Sequence, residues 1–176
     1  MVYDVPMENF RDPRLPQEAF SEDGYIADQD LCGAVRYGAW RSDRNGCGWI
    51  ATYNLLRALG REKPVAEIVA ALLRRSLFKG FLGTRTIVIY WYLKSLGIKT
   101  DAAMGRKNVA ALTKTKQQGI LFYRHKDGWH FVCFLPAAAD RFRFINAWTG
   151  RQDPVLDMDA FFKTCAKSKL VIALAL

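Results

Sequence analysis

The sequence predicts an α+β domain, with N-terminal helices packed on a C-terminal antiparallel β-sheet. Three observations carry this reading: the first half has the apolar spacing of helical faces, the second half shifts to a period of two, and strands and helices do not alternate. A chain of 176 residues, 51% hydrophobic and 24% charged, is long enough for one core and too apolar for a disordered or collagen-like segment.

The first 45 residues are rich in Pro, Asp and Gly, with Phe10, Phe20, Tyr25, Tyr37 and Trp40 scattered among them, and read as an ordered wrap around a core. From Gly46 the pattern changes. NGCGWIATYNLLRALG spaces Trp49, Ile50, Tyr53, Leu56 and Leu59 along one helical face and stops at Gly60. Pro64 opens a second helix that runs to about Arg75, because proline is tolerated in a first turn where its missing N–H has no partner anyway. TRTIVIYWYLKSLG is β-rich by propensity, but its length and terminal Gly97 favour a third helix. RKNVAALTKTKQQG is the fourth, with Gly119 beyond its end. After Gly119 come ILFYR, then WHFVCFL behind the turn HKDG, then RFRFINAW behind the turn PAAAD, three short runs that predict an antiparallel meander. DMDAFFKTCA gives a short helix and KLVIALAL a closing strand.

No apolar run approaches the roughly 18 residues a membrane span needs, and the N-terminus has neither the basic start nor the apolar stretch of a secretory signal, so a cytoplasmic protein is expected. The four cysteines, Cys32, Cys47, Cys133 and Cys165, are then expected as thiols. With no CxxC pair and only His125 and His130 available, no metal or other cofactor is expected. Charge is unevenly spread. Residues 1–31 hold eight carboxylates against Arg11 and Arg14, whereas residues 57–117 hold 13 Lys and Arg against Glu62, Glu67 and Asp101. The basic block would attract an acidic substrate, nucleic acid or the chain's own arm; a solvated helix face is the plainer reading.

Cys47 opens the first helix, where unpaired N–H groups and the positive end of the dipole favour a thiolate, so a depressed thiol pKa is expected. His130 lies just after HKDG and Asn146 near the end of the next strand, so a hairpin would bring both to one end of the sheet. A neutral amide beside a histidine fixes its tautomer, and Cys, His and Asn then supply nucleophile, acid–base and orienting group.

These segments resemble a known family. NGCGWIATYNLL is similar to the active-site helix of papain-like cysteine peptidases, GWHFVCF to their histidine strand, and FINAWTG to their Asn-x-Trp segment. The CG-rich helix start and LDMDAFFKTC are most similar to the compact C39-like branch, the peptidase domains of bacteriocin-processing transporters. The resemblance covers residues 38–176 and leaves an acidic arm, residues 1–37, expected to pack on the domain. It implies Cys47, His130 and Asn146 as the catalytic triad, with Trp148 covering the His–Asn hydrogen bond. His130 and Asn146 follow Cys47 by 83 and 99 residues, closer than the roughly 130 of papain and the cathepsins. Family members carry an oxyanion-binding glutamine six residues before the cysteine, and here that position is Arg41. Arg41 and Asn45 are therefore the side-chain candidates for the oxyanion, Asn45 having an N-cap role as its alternative.

The expected function is thiol-dependent acyl transfer on a peptide or amide, as a cysteine peptidase or amidase. The alternatives are a papain-like binding domain with impaired catalysis or a basic nucleic-acid-binding protein, though no RRM, KH or helix-turn-helix signature supports the last. Among the remaining polar residues, Cys32 competes with Cys47 but lacks a helix; Cys133 and Cys165 read as core; His125 reads as a solvated loop residue; and Asn54 reads as a polar contact within helix packing.

Overall fold

Every residue from Gly48 to Arg57 is buried in the helix α2 (Cys47–Ala58), the element around which the fold is assembled. The structure, a computed structural model, describes residues 12–76, 80, 81, 83–126, 128–147 and 153–176. Ahead of α2 come a two-stranded hairpin, β1 (Arg36–Tyr37) and β2 (Trp40–Arg41), and one short turn of helix, α1 (Ser42–Asn45). The buried Ser42 hydroxyl accepts a 2.9 Å hydrogen bond from the Trp49 indole and so locks α1 onto α2.

Helices α3 (Val65–Arg75) and α4 (Thr86–Ser95) pack on α2 and on each other. The rest of the chain builds a six-stranded sheet from β3 (Asp101–Met104), β4 (Gly119–His125), β5 (Gly128–Ala138), β6 (Arg141–Ile145), β7 (Val155–Leu156) and β8 (Val171–Ala175). Helix α5 (Arg106–Thr113) follows β3, and α6 (Met158–Thr164) follows β7. The strand order is β3-β8-β4-β5-β6-β7 with every neighbour antiparallel, so β4, β5 and β6 form the expected meander and the closing strand β8 returns beside β4. The architecture is α+β.

The sheet is covered on both faces. Ile120, Phe131, Cys133, Leu135 and Leu174 pack with α2, α3 and α4, while Leu121, Tyr123, Val132, Phe134 and Ala173 pack with Val109 of α5 and Phe161 and Phe162 of α6. That is why WHFVCFL reads as a near-continuous apolar run instead of an alternating one. The segment before β1 buries Leu15, Ala19, Phe20, Ile26 and Cys32 in the same core as α2. Asn54 fastens it: its amide oxygen accepts from Ile26 N at 2.8 Å and its amide nitrogen donates to Ile26 O at 2.9 Å. Arg57 adds a hydrogen bond to the Asp23 carbonyl at 3.0 Å.

Four details depart from the sequence expectations. The fourth helix stops at Thr113. The short strands β3 and β7, unforeseen, exist by pairing with β8 and β6. The PAAAD segment continues β5 through a bulge between Pro136 and Ala138. His125, expected in a solvated loop, is the last residue of β4 and is buried, because the hairpin pairs it with Gly128. Among the described residues, no helix is long and apolar enough to cross a membrane.

Candidate active site

The start of α2 places Cys47 at the rim of a cleft of about 460 Å³, lined also by Asn45, Thr84, Ile87, Phe122, Trp129 and Phe131. Gly48 is required there, since a methyl group on it would fall 2.5 Å from Thr84 Cβ and push that wall of the cleft away. Phe122 stacks on Trp129 at 5.0 Å and tilts against Phe131 at 4.6 Å, giving the cleft an aromatic floor. None of the described residues of the arm, 12–37, is among those lining it.

Three backbone N–H groups act on the Cys47 thiol: those of Phe131, Gly48 and Cys47 itself. Two belong to the first turn of α2, where amides have no intrahelical acceptor. They favour the thiolate, but burial outweighs them and pushes the thiol up to about 11. The side chain is only partly covered, yet the packing around it is dense enough for desolvation to win over the helix terminus. The expected depressed thiol pKa is thus corrected: the resting group is a thiol.

His130 immediately precedes Phe131 on β5, so its side chain leaves the sheet on the face opposite to Phe131 and Cys47, and the structure does not bring the expected Cys–His pair together. Its ring stands edge-on to Tyr123, its partner on β4, with centroids 5.8 Å apart. Nε2 lies 2.7 Å from the main-chain oxygen of Asn146. A carbonyl only accepts, so this contact puts the imidazole proton on Nε2 and leaves the lone pair on Nδ1. Burial lowers the His130 pKa to about 4, with nearby His125 acting in the same direction and the Asn146 carbonyl opposing.

Asn146 thus meets His130, but through its backbone where the sequence suggested its side chain. The residue ends the β6 hairpin arm with φ +60°. That left-handed conformation, which asparagine tolerates better than most residues, turns the carbonyl toward His130 and the amide away from it. The amide oxygen instead accepts from Gln29 N at 3.1 Å, and its nitrogen lies 3.5 Å from Gln29 Oε1. The Asn146 N–H donates to Asp153 Oδ1 at 3.1 Å.

Arg41 is placed away from the cleft. Its guanidinium, 64% exposed, pairs with Asp43 at 2.9 Å and lies over Gly33, while the inward position is taken by Ser42. Asn45 does border the cleft, with its amide nitrogen donating to Gly80 O at 3.0 Å; Gly46, and not Asn45, occupies the N-cap of α2. Trp148 lies outside the described residues. Cys32 is buried, with its sulfur 3.5 Å from Asp28 O and its thiol pushed up to about 12 by burial and by Asp28, Asp30 and Asp43. Cys133 and Cys165 are buried on opposite faces of the sheet. Gln29 escaped the sequence reading because its contact with Asn146 spans 117 residues and no local pattern announces it.

These elements define an α+β domain with a cysteine at a helix start on one face of β5 and a buried histidine on the other. A solved structure shares the fold. The peptidase domain of Streptococcus ComA, a bi-functional ABC transporter involved in the quorum sensing pathway, superposes with a TM-score of 0.54 and 16% sequence identity, covering 76% of this chain and 93% of that domain. No protein-family model matches the chain, and no curated protein matches it.

Proposed function

We propose that the chain is a thiol-dependent acyl-transfer enzyme of the papain-like, C39-like type, acting on a peptide or amide through Cys47, His130 and Asn146. The observation that carries this reading is the place of Cys47, at the start of the buried helix α2 and on the border of an aromatic cleft, with His130 held by the Asn146 carbonyl on the other face of the neighbouring strand. The fold shared with a peptidase domain supports the same reaction class.

In this reading the resting pair is neutral. The His130 ring, which rests on Tyr123, must turn to the Cys47 side of the strand, and the proton then passes from Sγ to Nδ1 as Sγ bonds to the substrate carbonyl carbon. The oxyanion is met by the N–H groups at the start of α2. Nδ1 then returns the proton to the leaving nitrogen, the C–N bond breaks, and a thioester remains. Water or a second amine attacks it, giving its proton to His130, and the thiol is released with its proton restored.

A second reading, a papain-like binding domain with impaired catalysis, draws on the same pKa shifts, because a thiol near 11 and an imidazole near 4 hold their neutral forms firmly. Incubation with a peptide library, followed by mass spectrometry, tests the proposal. Cleavage or transfer lost in Cys47→Ser and His130→Ala supports it; products that persist in both variants overturn it.

A further inference from the structure

We infer that Asp153 is a positioning residue for His130, acting through the main chain of Asn146. The inference rests on the reading of His130 as the acid–base group. The Asn146 carbonyl is the acceptor for Nε2, and a carbonyl can orient a ring only if its own peptide is held. Asn146 leaves β6 at φ +60°, where the sheet ladder no longer fixes it. Its N–H goes to Asp153 Oδ1 at 3.1 Å.

Asp153 is well suited to hold that amide. Its side chain is 9% exposed, and its other oxygen, Oδ2, takes a forked contact from Arg143, Nε at 3.0 Å and Nη2 at 2.7 Å. Arg143 is itself anchored by Asp23 and lies over the Tyr25 ring at 5.5 Å. The carboxylate therefore has one oxygen on a fixed cation and one on the Asn146 amide, and cannot swing without breaking the fork. Gln29 restrains the Asn146 side chain from the other side. With N–H and side chain both tied, the direction of the carbonyl follows, and with it the tautomer of His130.

The chain has only two histidines, so ring-nitrogen NMR on the ¹⁵N-labelled protein resolves His130 from His125. The native chain is expected to show the Nε2–H tautomer alone. Asp153→Asn, which keeps an acceptor oxygen for the Asn146 N–H, is expected to retain it. Asp153→Ala is expected to give mixed tautomers, with circular dichroism unchanged. If Asp153→Ala does not fold, Asp153→Ser, too short to reach the amide, is measured against the same criteria. A folded Asp153→Ala or Asp153→Ser with the native tautomer overturns the inference and leaves the reading of His130 intact. Mixed tautomers in Asp153→Asn overturn it too, because an acceptor oxygen would then not suffice. An Nδ1–H tautomer in the native chain overturns the carbonyl-oriented histidine itself, and the inference with it.

Discussion

His130 Nε2 and the main-chain oxygen of Asn146 lie 2.7 Å apart, so the group that orients this imidazole belongs to the backbone and cannot be removed by changing a side chain. What a substitution at 146 can change is the conformation that aims the carbonyl. Asn146→Gly keeps φ +60° at no steric cost, whereas Asn146→Ala adds a strain of about 1–2 kcal/mol. We expect Asn146→Gly to keep the Nε2–H tautomer of His130 more fully than Asn146→Ala does. Ring-nitrogen NMR and urea midpoints of the two variants check this; equal losses in both would return the orienting role to the side-chain amide.

The lowered pKa of His130 makes stability depend on pH. The unfolded chain takes up a proton near pH 6.5, the folded chain only near pH 4. The contribution is therefore complete above pH 6.5 and lost as pH falls from 6.5 toward 4, reaching about 3 kcal/mol at 1.36 kcal/mol per unit. His130→Phe removes this slope while leaving that of the carboxylates. The measurement is the difference between native and His130→Phe unfolding free energies at pH 7, 5.5 and 4.5; a difference that does not change across that range would contradict the assignment.

Asn54 offers a test of the arm. Both hydrogen bonds to Ile26 are buried, and Asn54→Leu leaves an amide N–H and a carbonyl without partners at about 1–3 kcal/mol each. The expected result is a loss of about 3 kcal/mol together with proteolytic cutting before residue 36. Destabilisation without faster cutting of the arm would mean that the clamp serves helix packing alone.

The helices and the meander were legible because burial writes itself into periodicity: Trp49, Ile50, Tyr53 and Leu56 share a face whatever else the chain does. β3 was not legible, because Asp-Ala-Ala-Met has no strand signature and pairs only when Leu174 and Ala173 are presented to it. His125 sits among charged residues that look like a turn, and only the register of β4 on β5 buries it. At the candidate site, Cys47 at a helix start could be read, but the face of β5 that carries His130 and the use of the Asn146 carbonyl could not, since they depend on strand register and on a backbone angle. The thiol's protonation likewise depends on how densely distant segments pack around it.

Arg41 stands where the resemblance places an oxyanion donor, yet its guanidinium pairs with Asp43 in the open. An exposed pair of this kind is worth little, so Arg41→Ala is expected to change stability by less than about 0.5 kcal/mol and to leave Cys47 alkylation within about twofold. Once a substrate is in hand, kcat is expected to hold as well. A fall in kcat of about 10² with unchanged labelling would show that the side chain swings into the cleft during turnover.

The remaining prediction concerns the thiol. Two effects compete at Cys47: the helix terminus and the Phe131 N–H stabilise the thiolate, while desolvation stabilises the thiol and wins, setting the pKa at about 11. Cys32, Cys133 and Cys165 are buried away from the cleft, whereas Cys47 borders it. Iodoacetamide should therefore label one site in the folded chain, slowly at neutral pH, with a rate still rising beyond pH 9. The sign for stability follows from the same shift. Above the unfolded thiol's value of about 8.5 the unfolded chain ionises first, so the folded state loses stability as pH rises from there toward 11. Cys47→Ala removes the Cys47 share of that alkaline loss, while the buried thiols of Cys32, Cys133 and Cys165, raised in the same direction, keep theirs. A labelling midpoint well below 8.5 would instead show a thiolate in the resting protein, with the N–H groups at Cys47, Gly48 and Phe131 outweighing burial.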